Sequence, residues 1–172
     1  MKFEFVRHIA LFCVLVLLQV LVLNHIHIAG VATPLLFVYF IEIFRRNYPR
    51  HGLICWGFAL GLLIDTFQNT PGAAAASLTL LAFVQPELLD LFLTREQADD
   101  MSPSKANLGK LPFFYYTTLC TSLFCLLFFL LESFSFFNWL TWLERSVGSI
   151  ALTELLIMAV DTLRKKKERN DG

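Results

Sequence analysis

The chain has 172 residues; 56% are hydrophobic, only 16% are charged, and 14 basic residues balance 14 acidic ones. Its mean hydropathy is +0.62, whereas soluble domains are about 45–50% apolar and about 25% charged. Such a composition argues against water as the only solvent, and the length leaves room for one compact domain but not for a large catalytic domain outside a membrane.

Taken in chain order, the first apolar run is 6–23, interrupted by Arg7, His8 and Gln19. Roughly 20 apolar residues cross a hydrocarbon core of ~30 Å, so this run is expected to be a first span. Lys2 and Arg7 at its front also suit a signal peptide, but the apolar stretch is long for one and no small-residue cleavage site follows. His25 and His27 come next, too few for a zinc site. The second run is 28–44. Thr33-Pro34 reads as an N-cap followed by proline at the first helical position. A helix from Pro34 to Phe44 is too short to cross alone, so this span is expected to be irregular or broken near Pro34, with its non-helical backbone buried in protein or facing water.

The third span is expected over 53–68. It is followed by the turn formers Asn69, Thr70, Pro71 and Gly72 and by a fourth span over 73–93, with Pro86 inside it. Residues 94–110 form the one long polar loop. The fifth span is 111–131. The following stretch holds Phe134, Phe136, Phe137, Trp139 and Trp142, a composition typical of the membrane–water boundary. The sixth span is 147–163, closed by Arg164-Lys165-Lys166-Lys167 and a basic tail over 164–172, read as a stop-transfer anchor near anionic head groups. Cys13, Cys55, Cys120 and Cys125 all fall in apolar runs and read as small buried hydrophobes, not as a disulfide framework.

The expected class is an all-α integral membrane protein, one bundle of about six transmembrane helices in a single domain over 1–172. With six spans, every one of the fourteen Lys and Arg residues except Arg145 falls on one face. Basic flanks stay cytoplasmic, which predicts an inner (cytoplasmic) membrane protein with both termini cytoplasmic. Five spans would split the basic ends between the two faces.

Gly57, Gly61 and Asp65 are spaced four apart and share one helix face. The glycines admit a close backbone, and an intramembrane aspartate costs at least about 2.5–3.5 kcal/mol, so it needs a reason. Two readings stand side by side: Asp65 bonds the following turn or caps the fourth helix, or it binds a ligand or partner. Glu154 is the deepest acid by position. Glu42, Glu87, Asp90 and Asp161 lie toward the cytoplasmic ends, where snorkelling and neighbours such as Arg45 relieve their charge. No nucleophile, metal or phosphate motif occurs in the sequence, so no enzyme, cofactor, metal or nucleic-acid partner is expected. Phe113, Phe114, Phe124, Phe128 and Phe129 are expected to face lipid or a partner's span.

Several of these residues carry a likeness. Trp56-Gly57-Phe58, Leu60-Gly61-Leu62, Asp65-Thr66-Phe67, Thr70-Pro71-Gly72, Ala74-Ala75, Leu80 and Ala82-Phe83 resemble the rod shape-determining MreD family in its Bacteroidetes-type form. So do the segment from Leu18 to Asn24 and Ala32-Thr33-Pro34-Leu35-Leu36. The likeness is specific over 18–36 and 56–83. It implies a non-enzymatic subunit of the bacterial elongasome that binds an MreC-like membrane protein. Through that partner it is linked to the MreB filament, to RodA and to a penicillin-binding transpeptidase, and so to peptidoglycan synthesis and cell shape. It also implies a fold like the substrate-binding membrane subunits of ECF transporters, which by itself transfers no function. On this resemblance Gly57, Gly61, Asp65, Phe67, Asn69, Pro71 and Gly72 form a partner or packing face. The rival reading is the substrate-binding subunit of a vitamin-type transporter, which predicts a closed polar pocket built from Asp65, Asn69 and Glu154.

Overall fold

The computed structural model describes residues 2–23, 33–70, 72–93, 102–105, 107–133 and 139–170, and for residues 2–5, 139, 141 and 164–170 it describes the backbone alone. His25, His27, Pro71, Phe134, Phe136 and Phe137 lie outside the described residues, as does most of the 94–110 loop.

The described residues are helical, without strands. In chain order they form α1 (Lys2–Leu21), a short 3-10 turn (Leu36–Val38) running into α2 (Tyr39–Glu42), α3 (Arg50–Gln68), α4 (Ala73–Asp90), α5 (Lys110–Ser133) and α6 (Trp139–Asn170). Within these, Lys110–Ser133 and Trp142–Leu163 are long and apolar enough to cross a membrane, and Val6–Leu21 is apolar but shorter.

The second run departs from a span. Its described helical part covers only 36–42, about 12 Å of rise. Pro34 stays outside the helix, and every residue from Pro34 to Phe44 is buried. The other helices enclose this segment. Side chains complete its irregular backbone: Ser149 accepts from the Thr33 N–H at 3.1 Å, Thr153 accepts from the Leu35 N–H at 2.9 Å, and Gln19 donates to the Pro34 carbonyl at 3.0 Å. A buried backbone group left unpaired is destabilising by about 1–3 kcal/mol, so these three side chains permit a non-helical strand of backbone at the centre.

Aromatic rings fill the space around this plug. Phe40 meets Phe12 and Trp56 at 5.6 and 5.7 Å between ring centres, and Phe37 meets Phe124 edge-on at 5.4 Å. Phe113, Phe124, Phe128 and Phe129 are therefore core residues, contrary to the expectation of a lipid or partner surface, and only Phe114 of that group is exposed. The cysteines divide: Cys120 and Cys125 are buried, but Cys13 and Cys55 lie on the outside of their helices.

The basic residues collect at one end. Arg7, Arg45 and Ser102 line a common small cavity. Arg46 pairs with Asp90 at 2.6 Å and Arg50 with Glu87 at 3.2 Å, joining the start of α3 to the end of α4. Lys105 donates to the Met158 carbonyl at 2.6 Å and the Thr162 hydroxyl at 3.0 Å, close to where Asp161 accepts from its N–H. Arg145 lies sixteen residues before Asp161 in α6, about 24 Å along the axis, at the opposite end.

Candidate functional site

The face predicted on α3 is turned inward onto α4. A Cβ placed on Gly61 would sit 2.4 Å from the Ala75 Cα, and one on Gly57 would sit 2.9 Å from the Leu78 carbonyl oxygen and 3.2 Å from the Ala82 Cβ. Helix axes approach this closely only where one partner lacks a side chain. Leu60 and Ile64 complete the face, both fully buried.

Asp65 continues the same row and closes the hairpin. Its Oδ1 accepts from the Ala74 N–H at 2.9 Å and from the Thr70 hydroxyl, and its Oδ2 accepts from the Ala75 N–H at 2.8 Å. These amides belong to the first turn of α4, where helix N–H groups lack intrahelical partners and the helix dipole favours a negative charge. The residue at the N-cap position is Gly72, which has no side chain to do this. Asp65 thus caps α4 from the end of α3. The turn between them needs left-handed backbone at two places, Asn69 (φ +55°) and Gly72 (φ +81°). Asparagine and glycine are the residues that adopt it most readily.

The remaining predicted residues are not gathered there. Phe67 and Asn69 point outward. Glu154 is held on α6 by the Thr117 hydroxyl of α5 at 2.6 Å, away from the α3–α4 turn. Asp65 and Glu154 are thus engaged by different elements and share no polar pocket. The groove on the outer side of the α3–α4 hairpin is apolar, walled by Phe58, Leu62, Leu80 and Phe83 over a floor that includes Ala75 and Ala76.

A second polar group lies where none was expected. Glu42 is not relieved at a cytoplasmic end: it is 1% exposed at the end of the central plug. The Thr121 hydroxyl donates to its Oε1 at 3.0 Å, and Tyr116 donates to its backbone carbonyl at 3.0 Å. Gln85 of α4 in turn donates to the Tyr116 oxygen at 2.8 Å and to the Phe44 carbonyl at 3.3 Å. Thr117 and Thr121 are one turn apart, so α5 presents one threonine to each glutamate. The spacing of Thr117 and Thr121 in an otherwise apolar block, and an acid inside the apolar run 35–44, were the available signals. By contrast Glu87 and Asp90 are exposed and paired with Arg50 and Arg46, not Arg45.

Comparison with models of known protein families, with curated proteins and with solved structures finds no match.

Proposed function

We propose that the chain is a multi-pass inner-membrane protein of MreD type, acting as a non-enzymatic subunit of the elongasome through contact with an MreC-like partner. The membrane part of this reading rests on an inverted distribution of side chains. Large apolar residues stand exposed on the helices, among them Leu17 on α1, Phe58 on α3, Phe83 on α4, Leu119 on α5 and Leu155 on α6, while Gln19, Glu42, Gln85, Thr117, Thr121 and Thr153 are fully or almost fully buried. Water does not select that pattern; lipid does. Hydroxyls outside the core are returned to their own helices, with Thr66 donating to the Leu62 carbonyl and Thr79 to that of Ala75, which removes an unsatisfied donor from an apolar surface. The gathering of basic residues at one end supports cytoplasmic termini.

The observation that carries the family reading is that the residues of the likeness in 56–83 work together. Gly57, Gly61, Asp65, Thr70 and Gly72 make one closed hairpin. A likeness confined to such residues is one of architecture, which fits a subunit that works by contact. The transporter reading would require Asp65 to be available to a ligand, yet both its oxygens are engaged by Thr70, Ala74 and Ala75.

The test is isolation of the tagged full chain from its native membrane in mild detergent, with identification of what accompanies it, together with depletion in the same cells. A single-span MreC-like protein and rounding of depleted cells are expected. An ATPase module in the complex, or a nutrient requirement without a change in shape, overturns the reading.

A further inference from the structure

The interior holds two carboxylates that the hairpin and the contact role leave unexplained. Glu42 and Glu154 are 1% and 7% exposed. One oxygen of each is taken, Glu42 Oε1 by Thr121 and Glu154 Oε1 by Thr117. The other oxygen of each, Oε2, is buried without a hydrogen-bond partner among the described residues. The two groups are near enough for the charge of Glu154 to act on Glu42, and both act on Cys120, which lies between the two threonines on α5. A third buried oxygen is present: the Thr118 hydroxyl, likewise without a hydrogen-bond partner, lies beside the Glu154 carboxylate.

Two carboxylates enclosed together in an apolar bundle repel each other and lose their hydration, so they require a compensating positive charge. Among the described residues no ion pair reaches either one. The nearest ammonium, Lys105, donates one turn further on, to the Met158 carbonyl and to Thr162. The oxygens left over come from separate elements, the central plug and α6, with α5 supplying hydroxyls to both. Apart from the Cys120 thiol the donor set is all oxygen, the set that suits small hard cations and not zinc or copper.

We propose that Glu42 and Glu154, with the Thr118 hydroxyl, form a binding site for one small hard cation, and that the bound ion joins the central plug to α5 and α6. The ion is structural, coupling the buried 33–44 segment to the surrounding helices. The inference concerns the interior alone and stands apart from the choice of partner.

The test is thermal unfolding of the full chain in detergent after treatment with a chelator, in choline chloride and in sodium, potassium, magnesium or calcium chloride at matched ionic strength. A cation that binds the native state alone raises the midpoint in a saturable way. One of the metal salts is expected to raise Tm by several degrees over choline. Glu42→Gln and Glu154→Gln, which keep shape and remove charge, are each expected to weaken the apparent affinity at least tenfold. Glu87→Gln, at an exposed ion pair, is expected to leave it unchanged. If a glutamine variant does not fold, Thr118→Val and direct binding of radioactive sodium or calcium to the unsubstituted protein replace it. The proposal is overturned if no metal salt differs from choline, or if the stabilisation persists in both glutamine variants. It is equally overturned if infrared spectra of the metal-loaded protein still show both carboxyl groups carrying protons.

Discussion

Asp65, at the end of one helix, caps the next: its Oδ2 accepts the backbone N–H of Ala75 at 2.8 Å while Oδ1 takes that of Ala74. The charge is thus matched to the positive end of α4, and Gly72 is released from the capping role so that it can take the left-handed conformation the turn needs. One side chain resolves two requirements that conflict at a single residue.

Replacing Asp65 removes the acceptor for three donors. Asp65→Ala is expected to destabilise the protein by about 2–3 kcal/mol, since a cap is worth about 1 kcal/mol and buried donors are left unpaired. Asp65→Asn keeps one acceptor oxygen and should lose roughly half as much. Thermal unfolding in detergent, followed by far-UV circular dichroism, gives the ranking; equal midpoints for Asp65→Ala and the unsubstituted protein would remove the capping account.

The glycines should separate by mechanism. Gly61→Ala drives a methyl into the Ala75 backbone, which cannot move aside, so a loss of about 3 kcal/mol or more is expected. Gly57→Ala meets a carbonyl oxygen at 2.9 Å and a methyl at 3.2 Å, a contact that small shifts relieve, and about 1–2 kcal/mol is expected. Gly72→Ala meets nothing in space but must hold φ near +81°, at about 1–2 kcal/mol. Midpoints measured on the three variants check the order, with Gly61→Ala the lowest.

This hairpin was legible because its information is local. The four-residue spacing of Gly57, Gly61 and Asp65 is a property of one helix, and the turn formers follow at once. Glu42 was not legible in the same way. Its hydrogen bond to Thr121 spans 79 positions, and its burial depends on residues 34–44 entering the bundle instead of crossing it. The phenylalanines of α5 failed for a related reason. In an apolar block, hydrophobicity does not mark the inner face, and here the polar residues mark it. Thr117, Cys120 and Thr121 share the buried side of α5 with Phe113, Phe124 and Phe128.

The plug gives a prediction of its own. Thr153→Val removes the acceptor for the Leu35 N–H without changing side-chain volume much, and Ser149→Ala does the same for Thr33. Each is expected to destabilise by about 1–3 kcal/mol, and together they should be less than additive because both act on one short segment. Valine at an exposed threonine, Thr66, should have little effect. A double-mutant cycle on unfolding midpoints measures the coupling; full additivity would mean that residues 33–35 are not held as a unit.

The arrangement of charge predicts sidedness residue by residue. Lys105 is tied to the end of α6 and Arg50 to the end of α4, so both belong to the same face as the basic tail, while Arg145 begins the other end of α6. With Cys13 and Cys55 first replaced by serine, because both are on the outside of their helices, single cysteines at 105 and 145 can be probed in intact cells with a membrane-impermeant thiol reagent. Cysteine at 145 should react from outside and cysteine at 105 only after the membrane is broken. The reason is energetic: carrying the basic cluster of the first end across a bilayer is far less favourable than carrying Arg145 alone. Reaction at 105 in intact cells would reverse the orientation and, with it, the side on which a cytoplasmic filament could be reached.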